Sequence, residues 1–335
     1  MNEELTNNYN EENGMFESRL KVQELNHLAF RIRNEIGKVI VGQERVLDLL
    51  LTALLANGHV LIEGVPGVAK TLIAKLLAKT INTGFSRIQF TPDLMPSDVL
   101  GTTIFNNTSS AFEFRSGPIF SNLILIDEVN RAPAKTQSAL FEVMEERQAT
   151  IDGVTHPMAN PFLVIATQNP VEHEGTYRLP EAQLDRFIFK IKIDYPDVEE
   201  EVSILQNSCN RGLAKEIDEI QPVVSADEII EFQELTRQVI VDPQLLHYIA
   251  TIVDRTRKNS ALYLGASPRA SLAILNTAKA YAALEGRDFV TPEDIHEVIY
   301  PVLCHRVILS PEKEMEGIRP ESIIRQIIDS VEIPR

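Results

Sequence analysis

Hydrophobic and polar positions alternate along this chain in two regimes. From near Glu17 to about residue 195, short β-branched apolar runs alternate with stretches whose apolar positions recur every three or four residues. That pattern predicts a parallel sheet covered by helices. Five core strands are expected: His59 to Glu63, Arg87 to Phe90, Leu123 to Asp127, Phe162 to Gln168 and Phe187 to Ile193. The third and fourth are almost wholly apolar, as strands covered on both faces should be. After "IDYPDVEE" the strand signals stop and helical ones run to the end of the chain. Ser225 to Glu228 and Thr291 to Asp294 read as capping boxes, and Asp242-Pro243 and Ser267-Pro268 put proline at a first helical position. The expected organisation is a flexible acidic arm at 1–18, an α/β core at 19–197 and an all-helical domain at 198–335.

Two hairpin insertions are expected between the core strands. One spans about 102–120, with "TIFNN" and "AFEFRSG" as its arms; the other, about 148–160, contains "QATIDGVTHPM" and turns at Asp152 and Gly153.

Composition narrows the function classes. With 335 residues, 44% of them hydrophobic, the chain has about two domains' worth of sequence and can build real cores. A net charge of −16 opposes diffuse binding to nucleic acid or anionic lipid, since those affinities rest on basic patches. The acidic N-terminus lacks the basic and apolar regions of a signal peptide, and no apolar window is long enough to span a bilayer, so a cytoplasmic location is expected. Cys209 and Cys304 lie outside any disulfide framework or zinc spacing. His173, between two glutamates, and Cys304, beside His305, read as ordinary side chains because no second ligand sits at a useful spacing.

The chemistry concentrates in "HVLIEGVPGVAKTLIAKLLA" at 59–78, an apolar strand, a glycine and proline turn and an amphipathic helix. The pattern G-x-x-x-x-G-K-[ST] wraps phosphates with backbone N–H groups, aims its lysine at the β and γ phosphates and sets its hydroxyl on magnesium. Here it reads Gly64, Val65, Pro66, Gly67, Val68, Ala69, Lys70, Thr71, with Ala69 in place of the second glycine. Downstream, "NLILIDEVNRA" is a buried strand ending in Asp127 and Glu128. Buried strands rarely carry acids. Beside a phosphate loop, one carboxylate can serve hydrated magnesium while the next polarises the attacking water. "PFLVIATQNP" then puts Asn169 where another buried strand leaves the sheet, a position from which an amide can orient water or sense the γ-phosphate.

The segments "GVPGVAKT", "LILIDEVNRAPAKTQSALFEVMEE", "ATQNP" and "EGTYRLPEAQLDRF" resemble the MoxR family of AAA+ ATPases, and the likeness runs from about residue 25 to 335. The alanine before Lys70 matches that family's usual variant. The resemblance implies a P-loop AAA+ core with sheet order 5-1-4-3-2, a helical lid and assembly into a ring of six subunits. It further implies ATP on Gly64 to Thr71, magnesium served by Asp127 and Thr71, Glu128 as base and Asn169 as sensor 1. Arg186 of "LDRF" would be an arginine finger offered to a neighbouring subunit, and Arg269 of "GASPRA" the lid's sensor 2. Val41, Gly42 and Gln43 resemble the segment that packs on adenine, the two hairpins resemble known insertions, and Arg131 could face a subunit interface. Family members are often associated with von Willebrand factor A domain proteins. Such a partner would here be a separate polypeptide.

The leading expectation is therefore a magnesium-dependent ATPase that remodels client protein complexes. A nucleotide-gated binding protein with little turnover is the alternative, opposed by Glu128; a nucleic-acid motor is opposed by the net acidity. A GTPase is excluded by the lack of an N-K-x-D segment.

Overall fold

The computed structural model describes residues 21–65, 67–169, 177, 179–210 and 220–334. The acidic arm read at 1–18, Pro66 of the loop and His173 lie outside the described residues. The chain divides into two compact units, residues 32–230 and residues 231–335 with the segment before residue 32.

The helix α1 (21–37) contributes its last six residues to the first unit, which is built on the helix α2 (Glu44–Leu55) and on the strand β1 (Val60–Gly64). There follow α3 (Lys70–Thr80), β2 (Phe85–Gln89), α4 (Pro96–Leu100) and an antiparallel hairpin, β3 (Gly101–Asn106) with β4 (Ala111–Ser116). Next come β5 (Leu123–Asp127), α5 (Ala134–Glu146), a second hairpin, β6 (Gln148–Ile151) with β7 (Val154–Pro157), and β8 (Leu163–Gln168). The unit continues through α6 (Glu181–Leu184), β9 (Phe189–Ile193), α7 (Val198–Asn210) and the start of α8 (Ala226–Arg237).

Five of these strands form one parallel sheet in the order β2-β5-β8-β1-β9. Numbered by core strand that is 5-1-4-3-2, the order the resemblance implied. β5 and β8 lie in the middle of the sheet, and Leu123 to Ile126 and Leu163 to Ala166 have no exposed surface. The period-free apolar runs follow from that burial on both faces. One face packs Leu61, Ile124, Ile126, Val164 and Ala166 with Leu140, Phe141 and Met144 of α5. α3 lies against β2 and β5.

His59, just before β1, ties three elements together. Its Nε2 lies 3.0 Å from the Met144 carbonyl, and its Nδ1 accepts the Val164 N–H at 3.0 Å. Accepting at Nδ1 assigns the ring proton to Nε2, which donates to the carbonyl. Burial, with the nearby Arg147 charge, pushes the pKa down to about 3, against the stabilising pull of the Met144 carbonyl. His59 is thus a neutral core residue.

The second hairpin turns where the sequence predicted. Asp152 and Gly153 both have positive φ, 51° and 79°, as a two-residue hairpin of the mirror-image type I turn requires. Gly101 starts the first hairpin at φ 94°, and a Cβ there would stand 2.2 Å from the Arg115 carbonyl oxygen. Glycine is required at that position on both counts.

The second unit contains most of α8, then α9 (Pro243–Lys258), β10 (Leu262–Leu264), α10 (Pro268–Leu284) and α11 (Pro292–Leu303). β11 (Ile308–Leu309), α12 (Pro311–Met315) and α13 (Pro320–Asp329) complete it, with β11 antiparallel to β10. The expected caps are present. Asp242 accepts the Gln244 N–H at the start of α9, Ser225 and Glu228 bond reciprocally, and Thr291 and Asp294 form a capping box. Asp294 is buried and is gripped by both Arg287 terminal nitrogens, at 2.6 and 2.5 Å. Among the described residues no helix is long and apolar enough to cross a membrane.

Candidate functional site

The carboxyl ends of β1, β8 and β5 lie side by side in the sheet, and each carries part of the predicted chemistry. In an open parallel sheet this edge is where ligands bind. β1 ends at Gly64, whose backbone is so close to β9 that a Cβ would stand 2.9 Å from the Ile193 carbonyl oxygen. From Val65 the chain turns through Gly67, at φ 89°, and Val68 to Ala69, at φ 58°, which caps α3. A Cβ on Gly67 would meet nothing within 4 Å, so the space over this part of the loop is open.

Ala69 is the departure from the generic loop, and its conformation gives that departure a physical meaning. The position is left-handed, which costs an alanine roughly 1 kcal/mol and a glycine almost nothing. The penalty is thus a backbone one.

Lys70 opens α3 and folds back, its Nζ donating to the Gly64 carbonyl at 2.6 Å. Burial lowers its pKa, and the negative charges of Asp127 and Glu128 oppose that fall. Thr71 follows it in the first turn of the helix. One loop therefore presents a half-buried ammonium, a hydroxyl and a helix N-terminus to open space, a set of groups that fits a chain of phosphates.

At the end of β5 the two acids are held differently. Asp127 accepts from Arg87 Nε at 2.6 Å and from the Thr167 hydroxyl at 3.2 Å. Glu128 has left the strand in the left-handed region, at φ 57° and ψ 52°. Its Oε2 accepts from Gln89 Nε2 at 2.9 Å and from Arg131 Nη1 at 2.8 Å. Strained non-glycine backbone of this kind clusters at functional sites. Among the described residues no group of three or more His, Cys, Asp or Glu is placed to hold a metal. One carboxylate and one hydroxyl beside a phosphate cradle nevertheless fit magnesium, which keeps waters and takes the rest of its shell from phosphate oxygens.

Asn169 follows the last residue of β8, half-buried, on the same edge. The segment Val41, Gly42, Gln43 is also brought to the loop, since Gln43 Nε2 donates to the Val68 carbonyl at 3.3 Å. Gly42 has φ 69°, and a Cβ there would strike the Glu200 carboxylate of α7.

Arg186 is placed apart from this cluster, on the face where α6 meets α5. Nη1 donates to the Phe141 carbonyl, and Nη2 pairs with Glu145 Oε2 at 3.0 Å. A cavity of about 270 Å³ adjoins it, lined by Ser138, Phe141, Glu142, Glu145 and Gln183 among others. Arg269 belongs to the second unit, exposed in the first turn of α10 behind Ser267 and Pro268.

Three residues of the cluster escaped the sequence reading: Arg87, Gln89 and Thr167. Arg87 and Gln89 share one side of β2, two residues apart, and β2 pairs with β5 so that Gln89 stands opposite Asp127. Polar residues at alternate positions near the end of an edge strand were the available signal.

Comparison with known proteins agrees with this geometry. Residues 59–189 match the model of the ATPase family associated with various cellular activities (AAA), and residues 254–327 match that of the AAA lid domain. The chain is 44% identical over 318 residues to the chaperone MoxR1 of Mycobacterium tuberculosis, covering 92% of this chain and 83% of that one. The chain belongs to the MoxR family of AAA+ ATPases. The uncharacterised protein YeaC of Bacillus subtilis is 47% identical over 312 residues, 93% of this chain and 97% of its own. A solved structure from Cytophaga hutchinsonii, assigned as an ATPase, superposes with a TM-score of 0.89 at 44% identity, covering 96% of this MoxR-family chain and 99% of that one.

Proposed function

We propose that this MoxR-family ATPase is a magnesium-dependent, ring-forming cytoplasmic machine, hexameric as its resemblance implies, which spends ATP hydrolysis on maturing or activating client protein complexes. The observation that carries the reading is the convergence of the Lys70 loop, Asp127 with Glu128, and Asn169 on one sheet edge.

In this reading Gly64 to Thr71 hold the triphosphate, with Val41, Gly42 and Gln43 beside the base. Asp127 and Thr71 hold magnesium, which when bound neutralises charge on the phosphate oxygens. Glu128 orients and polarises the attacking water, and Asn169 reports on the γ-phosphate. Phosphoryl transfer asks for charge neutralisation more than covalent help, and an arginine finger contributes about 10³ to 10⁵ in rate. Arg186 supplies that charge to the neighbouring subunit, and Arg269 contacts the nucleotide from the lid. Hydrolysis thereby depends on assembly. The client belongs to a class typified by complexes containing a von Willebrand factor A domain protein.

The test is ATP hydrolysis per subunit with and without magnesium as protein concentration rises, for wild type, Glu128→Gln and Arg186→Ala. The reading expects specific activity to climb with concentration and to fall in both variants. Tight ATP binding without turnover, at every concentration and with client present, would replace the machine with a nucleotide-gated switch.

A further inference from the structure

Thr167 stands in β8 two residues before Asn169 and is 2% exposed. Its one hydroxyl serves both Asp127, the last residue of β5, and Glu128 just beyond it. Oγ1 donates to Asp127 Oδ1 at 3.2 Å and accepts the backbone N–H of Glu128 at 3.1 Å. A hydroxyl has one proton and two lone pairs, so a single atom can satisfy a carboxylate and an amide together. The strand register allows this: Ile126 stands opposite Ala166, so Thr167 comes next to the point where β5 ends.

The Glu128 side of this arrangement is uphill. A left-handed glutamate persists only where its surroundings over-determine it. Here its N–H is held by Thr167 and its carbonyl accepts the Arg131 N–H at 2.9 Å. Rotating Glu128 out of that conformation would leave a part-buried N–H without this acceptor, and turning the Asp127 carboxylate would break the other bond of the same hydroxyl.

We infer that Thr167 is a positioning residue that fixes the aim of Asp127 relative to Glu128, coupling the magnesium-serving carboxylate to the backbone of the water-activating residue through a single hydroxyl. This rests on the roles given to those two acids under the proposed function. Valine at 167 keeps the shape and removes the hydroxyl; serine keeps the hydroxyl and removes the methyl.

The experiment uses the full chain and a fluorescent ATP analogue, titrated with and without magnesium, beside steady-state hydrolysis. Thr167→Val should bind the analogue as wild type without magnesium, yet lose most of the affinity that magnesium adds. Its kcat should fall by roughly tenfold to a hundredfold, the scale of a misaimed catalytic group. Thr167→Ser should restore both readouts to within about threefold of wild type, since it keeps donor and acceptor. Thr167→Ala replaces valine in both assays if the valine chain fails to fold.

A wild-type magnesium response and kcat in Thr167→Val would overturn the inference, as would a serine variant as impaired as the valine one. Asp127→Asn and Glu128→Gln are run in parallel. If those two turn over like wild type, the roles of the acids fall and the inference falls with them; if they are impaired while Thr167→Val is not, only the inference fails.

Discussion

Arg186 and Glu145 form an ion pair, Nη2 to Oε2 3.0 Å, between the segment before β9 and the C-terminal half of α5. The same guanidinium donates to the Phe141 carbonyl one helical turn earlier, so two of its five donors are committed within its own chain. A guanidinium held at two points has lost much of its rotamer freedom before any neighbour arrives.

From this, Glu145→Ala should lower the kcat of the assembled protein by roughly threefold to tenfold, well short of the loss in Arg186→Ala. Both partners are about a third exposed, so the pair itself contributes only about 0–1 kcal/mol and the melting temperature should hardly move. An unchanged kcat would mean that the anchor has no part in turnover.

Separating binding from chemistry requires two variants of the main site. Lys70→Ala removes the half-buried ammonium and should abolish measurable nucleotide binding. Glu128→Gln keeps the Gln89 and Arg131 neighbours and should bind ATP normally while turnover falls by about 10² to 10⁴, the worth of a positioned general base. Isothermal titration with single-turnover hydrolysis resolves the two effects.

His59 makes stability depend on pH. Its folded pKa is about 3 against an ordinary 6.5, so the unfolded chain binds the proton more readily. The contribution is complete above about pH 6.5 and is lost as pH falls toward 3, up to ~5 kcal/mol in all. Urea midpoints of wild type should therefore fall between pH 7 and pH 4 more steeply than those of His59→Gln. Parallel slopes in the two proteins would remove His59 as the cause.

In the helical unit, Arg287→Ala should cost about 3 kcal/mol or more, because it leaves the Asp294 carboxylate buried without its cation. The Thr291 N–H and hydroxyl still reach that carboxylate, at 2.7 and 3.1 Å, which moderates the loss. Differential scanning calorimetry reads it directly. A change below about 1 kcal/mol would show that the capping box alone supports the aspartate.

What could be read from sequence divides along physical lines. Gly64 to Thr71, Asp127 with Glu128, and the Asp152-Gly153 turn were legible because each is a local signal: a turn, a pair of acids ending an apolar strand, two positions of positive φ. Strand limits shifted by a residue or two; β2 began at Phe85 where Arg87 was expected, since an edge strand with alternating polar residues has no apolar run to mark its start. Arg87, Gln89 and Thr167 were not legible as site residues. Their roles come from parallel pairings some forty positions apart, and a lone Arg, Gln or Thr in a strand carries no trace of its neighbour across the sheet. The left-handed turn at Ala69 was likewise hidden, because alanine, unlike the Asp-Gly pair, has no preference for left-handed backbone that would mark it.

The two hairpin insertions touch through side chains: Phe114 of β4 stacks on His156 of β7 with ring centroids 4.1 Å apart, and Phe120 meets both rings edge-on. The first hairpin leads into β5, which ends in Asp127 and Glu128; the second leads into β8, which carries Thr167 and ends before Asn169. The insertions are thus yoked to each other, and each is rooted in a strand that ends on the same edge of the central sheet.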